Sequence, residues 1–235
     1  MNQFDLNYPR SQDQVAIAQN ALVRQVYAWM GAGLLVTALF ALVTIASPTL
    51  LKAVVGNRLV FYGLVFGELG LVVALSGAIN RLSGFTATLL FLLYSALNGV
   101  TLSIVFLVYT ADSIASTFVI TACMFGTMSA YGYLTRRDLT SWGSFLFMGL
   151  IGIILASLVN LFFKSPMVYW VATYCGIIVF VGLTAYDTQK LKAMARYGFA
   201  DGDAERKGAI VGALQLYLDF VNLFLMLLRL FGRRR

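Results

Sequence analysis

Long apolar stretches broken by short polar clusters dominate the chain. Seven runs can be read, at about 26–47, 59–79, 85–109, 114–134, 143–163, 167–189 and 209–231. Each is close to the roughly 20 residues a helix needs to cross the hydrocarbon of a bilayer. Ser47-Pro48, Ser83-Gly84, Arg136-Arg137-Asp138 and Lys164-Ser165-Pro166 separate them, residue types that cap or stop helices. The pattern predicts an all-α, polytopic integral membrane protein with seven transmembrane helices. Its organisation reads as a polar amino-terminal tail over 1–25, one membrane domain over 26–231 and a basic tail over 232–235.

Composition agrees. The 235 residues are 60% hydrophobic and 11% charged, where a soluble domain carries about 25% charged residues. The first 25 residues are too polar for a cleavable signal peptide, and the apolar run that follows is too long for one. Cys123 and Cys175 fall inside apolar runs and read as small buried hydrophobes. With no histidine in the chain, the residues argue against a zinc or haem centre, and no resident cofactor is expected. The net charge of +7 suggests topology rather than a nucleic-acid partner, because Lys and Arg gather in cytoplasmic loops.

Counting Lys and Arg orients the chain. With the amino terminus inside, the inner segments hold Arg10, Arg24, Arg81, Arg136, Arg137, Lys190, Lys192, Arg196, Arg206 and Lys207; the outer loops hold Lys52, Arg58 and Lys164. The bias predicts a cytoplasmic amino terminus. Arg229 and Arg233-Arg234-Arg235 pull the other way: charge counting favours an inside tail, whereas the length of the last run favours a full crossing and an outside tail.

Small residues at a spacing of four let membrane helices approach closely. Gly63-x-x-x-Gly67, Gly126-x-x-x-Ala130 and Gly152-x-x-x-Ala156 are the candidate packing faces.

Three acids carry the candidate chemistry. Asp187 ends the sixth run, Asp219 sits inside the seventh, and Glu68 lies in the second. A carboxylate at membrane depth costs about 2.5–3.5 kcal/mol on insertion scales, so such a residue points to function. Asp187 can also be read as a solvated residue at a helix end, since Gln189 and Lys190 follow it. Polar positions recur at helical spacing along single faces: Gln215, Asp219 and Asn222 in the seventh run, Thr184 and Asp187 in the sixth, Tyr94, Asn98 and Thr101 in the third. Neutral members of these stripes can equally serve helix packing. Asp187 and Asp219 stand level only if helix six continues past Lys190 or helix seven begins inside the cytoplasmic surface. Two carboxyls held together share a proton and titrate as a unit, and their oxygens suit a hard cation such as calcium. Arg81 lies thirteen residues beyond Glu68, about 20 Å along a helix, so it either meets another partner or extends to the headgroups.

These residues resemble a family. GLTAYDTQKLK followed by LQLYLDFVNLFLMLLRLFG is similar to the carboxyl-terminal signature of the Bax inhibitor family, the transmembrane Bax inhibitor motif proteins. The likeness extends upstream through FLLYSALNGVTLSIVFLVYT and SIASTFVITACMFGTMSAYGYLTRRDL. The compact loops resemble the bacterial members, which implies the inner membrane of a bacterium. The resemblance implies a seven-helix fold with the last helix central and a pH-sensitive calcium leak, with Asp187 and Asp219 as sensor and possible calcium ligands. It also implies an acid in the second helix, matched by Glu68, and a basic lock near that helix's end, matched by Arg81 only with a slip of a residue or two. Family members are further tied to cell-death suppression and to modulation of membrane-bound proteolysis, so a non-catalytic regulator with a membrane-bound protease as partner is the alternative. An intramembrane aspartyl protease would also use Tyr186-Asp187 and a second aspartate. Leu216-Tyr217-Leu218-Asp219 stands where that family has Gly-x-Gly-Asp, and no proline follows Pro166, so an enzyme is not expected.

Overall fold

The computed structural model describes residues 12–235, which are almost entirely helical. The helices are α1 (Gln12–Ala46), α2 (Pro48–Gly56), α3 (Arg58–Gly77), α4 (Gly84–Val108), α5 (Ala111–Leu134), α6 (Thr140–Phe163), α7 (Pro166–Tyr197) and α8 (Gly202–Phe231), with a short 3-10 turn at Ile79–Arg81. Among the described residues, all but α2 and that turn are long and apolar enough to span a membrane. The protein is an all-α polytopic membrane protein. Arg10 and the first part of the polar tail lie outside the described residues.

The breaker clusters cap what they separate. Ser47, Asn57, Ser83, Thr110 and Ser165 accept backbone N–H groups at the starts of α2, α3, α4, α5 and α7, and Asp201 accepts from Ala204 N at 2.7 Å to start α8. Such caps satisfy donors that a helix start leaves open. The short α2 was not anticipated from the runs; Ser47-Pro48 both ends α1 and opens it.

Helix α8 is the axis of the bundle. It packs against α1, α4, α5 and α7, while α3 lies outside on α4 and α6 outside on α7. Leu214, Leu216, Tyr217, Leu223, Leu227 and Leu228 of α8 are all fully buried. In lipid, such burial reflects close packing rather than escape from water.

Three helices outrun the hydrocarbon by the widest margin. At about 1.5 Å per residue, α1 with 35 residues, α7 with 32 and α8 with 30 exceed the roughly 30 Å core. Helix α1 therefore begins well before its apolar run. The extra turns form a packed stump in which Leu22, Val26, Leu191 and Ile210 are buried together, and Gln19 Nε2 donates to Lys192 O at 3.1 Å.

The connections sort onto two sides. Gly84 N donates to Asp203 Oδ1 at 2.7 Å, and Leu139 N to Gln189 Oε1 at 2.8 Å. The α3–α4, α5–α6 and α7–α8 connections thus share one side, called near. On the far side, Thr110 N donates to Arg233 O at 3.1 Å and Arg235 N to Val108 O at 3.0 Å. This two-stranded clasp ties 232–235 to the α4–α5 connection, so α8 crosses completely.

Two packing expectations are corrected. Gly63, Gly67, Gly126 and Gly152 have open space where a side chain would project, so their motifs mark no helix contact. The close approaches occur elsewhere: a Cβ on Gly132 would strike the backbone of Ala185, and one on Gly99 the backbone of Thr37. Cys123 and Cys175 are unpaired and exposed on outer helix faces rather than buried; spacing alone does not separate a lipid-facing position from a core one.

Candidate functional site: an acidic cavity beside the axial helix

A cavity of about 770 Å3 lies between α3 and α6, backed by α7 and α8. Glu68, Asp187 and Asp219 all line it, together with Gln215 and Asn222. The whole stripe of the last helix converges here, with Asp187 and Tyr94 from the other two, while Thr184, Asn98 and Thr101 do not line the cavity. The two conditions for bringing the aspartates level are both met: α7 continues to Tyr197, and α8 starts back at Gly202.

The side chains of Asp187 and Asp219 face each other within hydrogen-bonding reach. Carboxylates have only acceptors, so a hydrogen bond between two of them requires one to carry a proton. Asp219 is 5% exposed, and its Oδ2 is buried with no donor. Lys190, one turn beyond Asp187, is the nearby cation, but it forms no ion pair; Lys207 with Asp203 at 3.2 Å is the salt bridge found among the described residues.

Glu68 stands on the opposite wall in a different setting. Asn98 Nδ2 donates to Oε2 at 3.2 Å, and Thr101 Oγ1 donates to Oε1. The network runs on through the bundle, because Tyr217 Oη donates to Asn98 Oδ1 at 3.1 Å and lies 2.6 Å from Thr37 Oγ1. Four helices meet in this chain of side chains. Tyr94, Asn98 and Thr101 were legible as a stripe; the contribution of Thr37 was not, since a single threonine in an apolar run gives no signal.

Arg81 sits exposed in the 3-10 turn and does not line the cavity. Lys190 occupies the place beside the aspartates. The described residues hold no cluster of three acids, cysteines or histidines able to cage a metal. A bound calcium takes six to eight oxygens at about 2.3–2.6 Å. Two carboxyl groups and the side-chain oxygens of Gln215 and Asn222 are among the oxygen-bearing groups that line this cavity.

A family model described as inhibitor of apoptosis-promoting Bax1 matches residues 19–235. The chain belongs to the Bax inhibitor family. Among similar proteins, the inner membrane protein YbhL of Escherichia coli is 54% identical over 231 residues, which cover 97% of this chain and 99% of that protein. An uncharacterized protein of Borreliella burgdorferi is 47% identical over 222 residues, covering 94% and 96%. A Rickettsia prowazekii protein is 44% identical over 213 residues, covering 90% and 89%. The residues matched to the Bax inhibitor family begin within α1, take in the six later spans whole and include both aspartates.

Proposed function

We propose that this protein is a pH-sensitive calcium leak of a bacterial inner membrane, with Asp187 and Asp219 as its sensor and ion contact. The observation that carries the reading is the pair of facing carboxyls at the back of a cavity of about 770 Å3. Protons and calcium compete for the same oxygens, so occupancy by one changes access for the other. Glu68 adds a third carboxylate on the route along the cavity. No step of bond making or breaking is needed, and the role is non-catalytic. The inner-membrane placement rests on the likeness to YbhL. The amino terminus is taken as cytoplasmic from the Lys and Arg of the near-side loops, and the bilayer is the obligatory partner.

The test is calcium flux into liposomes holding the purified protein, wild type against Asp219→Asn, across a pH series. A pH-dependent flux that flattens in the variant supports the leak. Equal, pH-independent flux in both removes it and favours a membrane regulator that binds a protease or another membrane protein.

A further inference from the structure

A second cavity, of about 550 Å3, opens on the near side where the α5–α6 connection meets the end of α7. Arg136, Arg137, Lys190, Lys192 and Arg196 all line it, with Asp138 as the lining acid. Nothing in the leak reading uses these five cations together.

The backbone of the pocket is fixed by side-chain bonds. Gln189 stitches the connection to α7: its Oε1 accepts from Leu139 N, and its Nε2 donates to Arg137 O, both at 2.8 Å. Lys192 Nζ donates to Tyr133 O at 2.9 Å and lies 4.9 Å from the centre of the Tyr133 ring. These bonds hold Arg136 and Arg137 over the turns of α7 that carry Lys190 and Arg196. Asp138 is already engaged, accepting from Thr140 N at 2.9 Å and Thr140 Oγ1 at 2.6 Å. Arg136, Arg137 and Arg196 have no ion-pair partner among the described residues. Like charges in one concavity repel, and an anion relieves that repulsion. Guanidinium groups match phosphate oxygens in paired, charge-assisted hydrogen bonds, and the volume falls in the roughly 300–1,000 Å3 range of small-molecule sites.

We propose that this pocket binds a phosphate-bearing anion, through Arg136, Arg137 and Arg196. Free pyrophosphate-like anions and the headgroup of an anionic phospholipid present the same chemistry at this membrane edge.

The full-length protein in phosphatidylcholine nanodiscs, at matched ionic strength, distinguishes the sources. Thermal stability is followed while pyrophosphate is titrated, and separately as phosphatidylglycerol replaces part of the phosphatidylcholine. A saturable rise in Tm with pyrophosphate assigns a free ligand; a rise with phosphatidylglycerol alone assigns a headgroup. Either effect should weaken at least tenfold in apparent affinity in the triple variant R136Q/R137Q/R196Q, and less in Arg196→Gln alone. The far-side triple variant R233Q/R234Q/R235Q removes the same charge and should bind like wild type. Absence of saturable stabilisation by both probes overturns the proposal. So does an equal loss in the two triple variants, which would mark general electrostatic adsorption.

Discussion

The hydroxyl of Tyr217 on α8 lies 2.6 Å from that of Thr37 on α1, at the end of a hydrogen-bonded chain that starts at Glu68. The Tyr217 ring is fully buried and meets Phe91 and Tyr94 edge-on. Tyr217→Phe keeps the ring packing and leaves Asn98 Oδ1 without its donor. The expected loss is about 1 kcal/mol, in keeping with polar contacts between membrane helices. Tyr217→Ala removes the ring as well and should cost about 3–5 kcal/mol. Reversible unfolding in mixed micelles measures both, and equal losses would show that the hydroxyl, not the ring, carries the stability.

Close helix approach gives a second expectation. Gly132→Ala sets a methyl against the Ala185 backbone and should destabilise by about 1–3 kcal/mol, as overpacking does. Gly126→Ala, six residues earlier on the same helix with nothing within 4 Å, should be neutral or stabilising by roughly 0.5–1 kcal/mol. The contrast is read in thermal melts of the purified variants.

If Asp187 and Asp219 act as one titrating unit, their substitutions are not additive. Asp187→Asn and Asp219→Asn should each flatten the pH response of calcium flux, and the double variant should add little. Two effects that sum would show that the carboxyls act separately. Arg81→Gln should leave the basal rate unchanged, since Arg81 is exposed and outside the cavity.

Sidedness follows from the clasp between Thr110 and Arg233. A cysteine introduced at Ala200 and one at Arg235 should react with impermeant reagents from opposite sides of the membrane. Labelling of both from one side would exclude a complete crossing by α8.

Asp138 offers a pH readout outside the spans. Its hydrogen bonds from the Thr140 hydroxyl and backbone hold its carboxyl below the ordinary carboxylate range. A depressed value means a stabilising contribution that is present above the unfolded pKa and is lost as pH falls through the folded one. Thr140→Val removes the hydroxyl, so the Asp138 titration followed by carboxyl carbon NMR should move upward.

The spans were legible because apolar length and capping chemistry are local: Ser47, Ser83 and Ser165 mark helix starts wherever the chain goes next, whereas the polar turns that carry α7 on to Tyr197 and begin α8 at Gly202 lie outside the apolar runs. Asp187 and Asp219 were legible for an energetic reason, the cost of a carboxylate in an apolar run. What could not be read was relative placement. Gly63 and Gly132 look alike in sequence, yet one faces open space and the other a neighbouring backbone. Lys190 stands one turn from Asp187 on the same helix, and the packing of α7 against α8 brings both to the cavity that Asp219 lines, whereas Arg81 is left exposed in the turn after α3. The start of α1 at Gln12 was hidden because its first turns are polar by composition and are ordered by contacts with α7 and α8.

The axial position of α8 constrains how the protein is made. Of the eight helices, this one leaves the ribosome after the others, yet α1, α4, α5 and α7 all pack around it. Until it arrives, none of those four can complete its native packing. The native bundle therefore waits on the insertion of α8, and Asp219 must enter the membrane with it.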